Sequence, residues 1–268
     1  MLGAALLLLT VPLAALSAQT HSVALASAAS PTEPVNTDSK GLPVPITTSD
    51  RIKLSATYWS PRSKGSALAP AALLLHDAGG ERGSLEALAE RMWKQGFAVL
   101  TLDLRGHGKS ADETHDWAAA DLSGQASLWA FATRDVEAAS QWLTGQERVH
   151  RTNLHIVGHG AGCVLAARHA LGDEKVRSMA LLEPPAKAHG FDLAADLREL
   201  GGLPTLILAP KDKDSPTEKM VQEANAGLAD HPYVTLMSLK RETKVLEDKL
   251  TPSKVSAWLK DQAQPDGK

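Results

Sequence analysis

The feature that most constrains this chain is an alternation. Between Arg51 and Lys260, short apolar runs take turns with segments of helical periodicity. Ala71–His76 (AALLLH), Phe97–Asp103 (FAVLTLD), Leu154–Gly158 (LHIVG), Val176–Leu182, Pro204–Ala209 and Tyr233–Leu239 read as strands. Several are almost continuously apolar, as strands covered on both faces are. Arg51–Trp59 instead puts Ile52, Leu54, Ala56 and Tyr58 on one side, the pattern of a half-buried strand. Helical segments separate them. Ser84–Gln95 aligns Leu85, Leu88 and Met92 and stops at Gly96, and Ala126–Leu143 carries the stripe Trp129, Ala132, Val136, Ala139 and Leu143. Ala161–Ala170, Ser215–Ala229 and Pro252–Lys260 complete the helices. Strands joined through helices need right-handed crossovers, so the expected class is α/β, a mostly parallel twisted sheet with helices on both faces. Functional groups then gather at the carboxyl ends of the strands.

The two ends have a different composition. Met1–Ala18 (MLGAALLLLTVPLAALSA) is apolar and free of charge, and Ala24, Ala26 and Ala28 give A-x-A spacing, with Ala18 an earlier candidate for cleavage. That is the pattern of a secretory signal over residues 1–28, and export to a secreted or periplasmic location is the expectation. Pro12 and the short apolar core argue against a stable membrane span in the mature chain. Residues 29–43 (ASPTEPVNTDSKGLP) hold too little apolar surface to pack and read as a disordered linker, so the domain is expected over 44–260. Residues 261–268 read as a frayed tail. A formal charge of −3 and the lack of a basic run give no support for a nucleic-acid partner. Cys163 is the single cysteine, so neither an intramolecular disulfide nor a multi-thiolate metal site can form. Nothing in the sequence calls for a metal or another cofactor.

Three segments, in order and each on the appropriate element, resemble the α/β-hydrolase family of serine esterases and lipases. Leu73–Ser84 (LLLHDAGGERGS) resembles the oxyanion loop after the third strand, and Leu102–Ser110 (LDLRGHGKS) the loop after the fourth. Val157–Ala166 (VGHGAGCVLA) lies where the nucleophile elbow belongs. The resemblance covers roughly Val44–Leu259 and implies an α/β-hydrolase fold. The segment Pro184–Gly202 is too short for a large cap domain.

The family's elbow reads G-x-S-x-G because its central residue sits on a strained turn between small neighbours. Here it reads Gly158-His159-Gly160-Ala161-Gly162, with both flanking glycines and no serine. Taking Cys163 as nucleophile would put Ala161 and Leu165 where glycines belong, so Cys163 reads as a small apolar residue of the helix. The family's base follows the last strand, and Lys240–Lys254 contains no histidine. His231 precedes that strand and would lie at the opposite end of the sheet. Asp212 and Asp214 stand as vestigial acids, with Glu183 an alternative position, and without a histidine to orient they read as loop carboxylates.

By resemblance, the oxyanion donors are the backbone N–H groups of Ala78 and Ala161. Asp77 replaces the usual glycine after His76, and its carboxylate would repel a developing oxyanion if it points inward. The resemblance gives His76 and His107 structural roles and makes His159 an ordinary elbow neighbour. A triad acts as a unit, and loss of serine or histidine alone costs on the order of a million-fold in kcat. The expectation is therefore an inactive homologue that binds a small apolar or ester-like ligand, or a protein partner. The alternative is an active hydrolase using non-standard or metal-assisted groups among His76, His107, His159 and Asp103. Two surfaces are available for a partner, the loop 111–125 with Trp117 and the segment 184–202. Glycine at 160 relieves a strain of about 1–3 kcal/mol, so Gly160→Ser is expected to cost about a kilocalorie.

Overall fold

The computed structural model describes residues 41–62, 67–212, 215–227 and 232–263. The expected signal segment, most of the linker, Asp214 and His231 lie outside the described residues.

Eight strands form one sheet: β1 (Leu42–Thr47), β2 (Lys53–Trp59), β3 (Ala69–Leu75), β4 (Ala98–Leu102), β5 (Val149–His159), β6 (Val176–Leu182), β9 (Thr205–Pro210) and β10 (Val234–Leu239). Their order is β1-β2-β4-β3-β5-β6-β9-β10. β2 pairs antiparallel with both β1 and β4, and the pairs from β4 to β10 are parallel. A two-residue hairpin, β7 (Lys187–Ala188) and β8 (Phe191–Asp192), stands apart from it.

The continuous apolar runs are explained by helices on both sides. In β3, Ala71, Leu73 and Leu75 join one core while Ala72 and Leu74 join the other, and β4 divides in the same way between Leu100 and Val99. The first core is closed by α2 (Leu122–Phe131), α3 (Thr133–Thr144), α4 (Gly162–Ala170), α5 (Leu193–Leu200) and α6 (Pro216–Ala224). The second is closed by α1 (Glu86–Lys94) and α7 (Thr251–Gln262). Burying both faces of a strand removes about 25 cal/mol for every Å² of apolar surface taken from water, which is why β3 and β4 carry so little polarity.

Several boundaries differ from the sequence reading, among them these four. Leu42 and Pro43 belong to β1, not to a linker; Pro43 and Pro45 are tolerated because β1 is an edge strand with one ladder to satisfy. The expected helix 126–143 is two helices. Asp121 caps α2 by accepting the Gly124 N–H at 2.7 Å, and the Thr133 hydroxyl donates back to the Ala130 carbonyl where α3 begins. α6 stops at Ala224 rather than Ala229. α7 runs on to Gln262, and Asn153 Nδ2 donates to the Ala263 carbonyl, so the start of the expected tail is tied down.

Candidate functional site

The site sits at the turn from β5 into α4, at the carboxyl edge of the sheet. Gly160 has φ +52, a left-handed conformation that a side chain makes costly. Its neighbours are glycines for lack of room. A Cβ on Gly158 would lie 2.6 Å from Cys163 Cα, and one on Gly162 would lie 2.5 Å from the His76 carbonyl oxygen. The Gly160 N–H donates to the Leu182 carbonyl at 2.9 Å, which fixes the turn against β6. The strained elbow of the resemblance is present, with no side chain at its apex.

The space beside that apex is filled. Asp77 points inward, and its Oδ1 accepts the N–H groups of both Ala78, at 2.8 Å, and Ala161, at 2.6 Å. These are the two donors assigned to an oxyanion by resemblance. A carboxylate on two N–H groups at the start of α4 gains from charge-assisted bonds and from the helix dipole. A Cβ built on Gly160 would fall inside the Asp77 carboxyl group. Relief of φ strain is therefore only part of why residue 160 is glycine. The expected cost of about a kilocalorie for Gly160→Ser needs correcting upward, because the new side chain must also displace Asp77.

His76 and His107 stitch the neighbouring loops together. His76 is fully buried; its Nδ1 donates to the Asp77 carbonyl at 2.7 Å and its Nε2 accepts the Leu104 N–H at 3.0 Å. Burial pushes its pKa down to about 4, so the ring is neutral at pH 7. His107 Nδ1 donates to the Arg105 carbonyl and its Nε2 accepts the Gly79 N–H at 3.1 Å, with burial again lowering the pKa. Neither ring has a nitrogen left for a metal or a substrate. Asp103 is likewise engaged, by the Arg82 guanidinium, the Arg82 N–H at 2.8 Å and the Lys109 N–H at 2.9 Å. Among the described residues no group of three or more His, Cys, Asp or Glu is placed to hold a metal ion.

The remaining candidates do not converge on the apex as a triad would. His159 faces Glu183 across 3.4 Å, and its Nδ1 is buried without a partner. Glu183, at φ +51, uses its other oxygen to accept the Val245 N–H at 3.1 Å. It thus anchors the stretch after β10 in which the family's histidine would come, and Val245 from that stretch is fully buried. Asp212 is exposed. Cys163 is fully buried in α4; burial pushes its thiol pKa well up, and its Sγ–H lies 3.6 Å from the Leu182 carbonyl.

Of the clusters that escaped the sequence reading, two bear on function. One roofs the cleft: His189, at φ +47 in the β7–β8 turn, packs 5.1 Å from Trp117 and 5.3 Å from Trp129 between ring centroids, while Trp117 lies 4.7 Å from His107. The fully buried Trp129 leaves its Nε1–H without a partner. Trp117 therefore packs under its own loop and against the site, so it is less free as a partner anchor. The other cluster lies inside the sheet. His155 Nδ1 pairs with Ser178 Oγ at 2.8 Å, and His155 Nε2 with Asn153 Oδ1 at 2.8 Å. His155 and Ser178 are fully buried, so no substrate reaches them.

Comparison with known proteins agrees with the geometry. Residues 69–217, more than half of the chain, match the family described as serine aminopeptidase, S33. Two curated relatives from Mycobacterium tuberculosis, the uncharacterized proteins Rv2307c and MT2364, are each 28% identical over 146 residues. That match covers 54% of this chain and 43% of theirs, so the chain spans less than half the length of these relatives. Among solved structures, the Pyrococcus furiosus esterase Pf2001 superimposes with a TM-score of 0.65 at 15% identity, covering 84% of this chain and 91% of the esterase. TT1662 from Thermus thermophilus gives 0.61 at 16% identity over 85% and 100%, and a dienelactone hydrolase from Anabaena variabilis gives 0.60 at 18% over 84% and 97%. At these identities the structural likenesses show the fold.

Proposed function

Because this chain belongs to the serine aminopeptidase S33 family of α/β-hydrolases, we propose that it is a member without serine-hydrolase activity, retained for binding a small apolar or ester-like ligand or a protein partner. The observation that carries this reading is the occupant of the nucleophile's place. The apex residue is Gly160, the space beside it holds the Asp77 carboxylate, and both polar neighbours of that carboxylate are backbone N–H groups. Acyl transfer needs a hydroxyl or thiol, a base in hydrogen-bond reach, and open oxyanion donors. The stretch 240–250 contributes a buried valine instead of an imidazole.

The test uses purified protein with short-chain nitrophenyl esters and a fluorophosphonate probe. The expected result is turnover at background and no label. Ester hydrolysis well above background, lost on mutating a residue of the cleft, overturns the proposal.

A second reading, hydrolysis by non-standard groups, is favoured by one observation: a carboxylate does project into the nucleophile's place. Two imidazoles feel its charge: His76, whose ring nitrogens are both engaged elsewhere, and His189, whose pKa burial lowers and the Asp77 charge raises. No hydrogen bond joins the Asp77 carboxylate to His189 among the described residues. Turnover abolished by Asp77→Asn and retained by Glu183→Gln would favour this reading over the first.

Export is part of the proposal. It rests on the charge-free apolar segment 1–18 and the A-x-A spacing ending at Ala28. No helix among the described residues is long and apolar enough to cross a membrane. Mass spectrometry of the protein recovered from an exporting host should give an N-terminus after Ala18 or Ala28; an uncleaved chain in the cytoplasm overturns it.

A further inference from the structure

We propose that Asp77 is an autoinhibitory plug: an intramolecular carboxylate that occupies an anion-binding pair, the N–H groups of Ala78 and Ala161, and closes it to small carboxylates from solution. The inference rests on the reading of the site as non-catalytic and extends it, because it says what the retained donors hold and what would bind there once they are freed.

Three features support the plug. The two donors come from different elements, the loop after β3 and the start of α4, yet meet on one oxygen at 2.8 and 2.6 Å. Convergence of two N–H groups on one oxygen is the geometry for a carboxylate or an oxyanion. The donors are held from behind whether or not the plug is in place. His107 Nε2 accepts the Gly79 N–H on one side, and the Gly160 N–H is fixed to the Leu182 carbonyl on the other. Finally, the volume beside Gly160 is the volume the carboxyl group fills, since a single added carbon at 160 already overlaps it. Removing the Asp77 side chain therefore leaves both donors and a space of carboxylate size. Beside the Ala78 donor, the Trp117 indole lies with its Nε1 3.4 Å from a Cβ placed on Gly79.

While the plug is in, an external carboxylate meets only the fraction of molecules in which Asp77 has swung out, and its apparent affinity falls by that fraction. If the plug is seated more than nine-tenths of the time, unplugging tightens binding by at least about tenfold.

The probe is sodium butyrate at constant ionic strength, followed by NMR at the amides of Ala78 and Ala161 in the wild type, Asp77→Gly and Asp77→Asn. The expected result is saturable shifts at both amides in Asp77→Gly, with binding at least about tenfold weaker in the wild type. Asp77→Asn, which keeps an acceptor oxygen of the same shape, should stay closed. Equal binding to wild type and Asp77→Gly overturns the plug; a folded Asp77→Gly in which neither amide responds overturns the site. Should Asp77→Gly fail to fold, the wild type still decides. Its two amide protons must be shifted downfield of unstructured-chain positions and slow to exchange, and amides with neither property refute the contact. Ester turnover by the wild type would defeat the non-catalytic reading without touching these amide measurements, so the two failures are distinguishable.

Discussion

Two places among the described residues stand as opposites, although both carry polar side chains of the kind hydrolases use. At the carboxyl edge of the sheet, where a substrate would arrive, the apex is Gly160 and its neighbour is the Asp77 carboxylate. Inside the sheet, Asn153, His155 and Ser178 form a complete serine–histidine–amide relay under α7, sealed from solvent at His155 and Ser178. Hydrogen-bond connectivity alone therefore says little about chemistry. The inner relay satisfies buried polar groups, and the edge site places its groups half-buried, where the backbone is strained.

Substitution at the apex gives the largest effect. Gly160→Ser should destabilise the protein by roughly 2–6 kcal/mol, from left-handed strain of about 1–3 kcal/mol together with overpacking of about 1–3 kcal/mol against Asp77. In an Asp77→Gly background the overpacking disappears and the cost should fall to about 1–3 kcal/mol. Urea unfolding of the four proteins of this double-mutant cycle measures the coupling. An equal cost in both backgrounds would mean that Asp77 does not constrain residue 160.

Acid should weaken both places, through His155 inside the sheet and His76 at its edge. Burial holds the pKa values of His155 and His76 at about 4, against 6.5 in the unfolded chain. Below pH 6.5 the unfolded state takes up these protons and the folded state does not until about pH 4. Stability is therefore full above pH 6.5 and is lost as pH falls from 6.5 towards 4. Each histidine contributes a slope of about 1.4 kcal/mol per pH unit within that window. Urea midpoints at several pH values, for wild type and His155→Gln, check it; an unchanged slope in the variant means that His155 already takes a proton in the folded state.

The fold was legible because strand and helix periods are local properties of sequence. Leu154–Gly158, Val176–Leu182 and the α4 segment were placed from their own residues and from the tightness of the turn between them. The start of β1 was missed because the Pro-, Ser-, Thr- and Asp-rich run ending at Pro43 reads as a linker, and only its pairing with β2 makes it a strand. At the site, the missing serine and the missing histidine could be read from motif position. The direction of the Asp77 side chain could not, since it depends on a donor 84 residues away. His155 was equally opaque: on an apolar strand it looks like an ordinary core residue until Ser178 is placed beside it by β5–β6 pairing. The buried ion pairs of Arg105 with Asp135 and Asp50 belong to the same class.

Ser178→Ala sharpens the comparison at intermediate size. It strands His155 Nδ1 without a partner in a dry interior and should cost about 1–3 kcal/mol. Ligand or carboxylate binding at the edge site should not change. A change in edge-site affinity would mean the two places communicate through β5.

The smallest expected effect is at Glu183, which touches both the elbow and the stretch after β10. Its carboxylate accepts the Val245 N–H at 3.1 Å and lies 3.4 Å from His159 Nε2. Glu183→Gln keeps an oxygen for Val245 and loses only the charge, and the pair with His159 is partly exposed, so the loss should be under about 1 kcal/mol. Glu183→Ala removes the acceptor altogether and leaves the Val245 N–H, in a buried residue, to find water or remain unpaired, at about 1–3 kcal/mol. The ordering of the two variants, read from urea midpoints, separates anchoring of the stretch from pairing with the histidine. If Gln costs as much as Ala, the charge on Glu183 matters to the elbow.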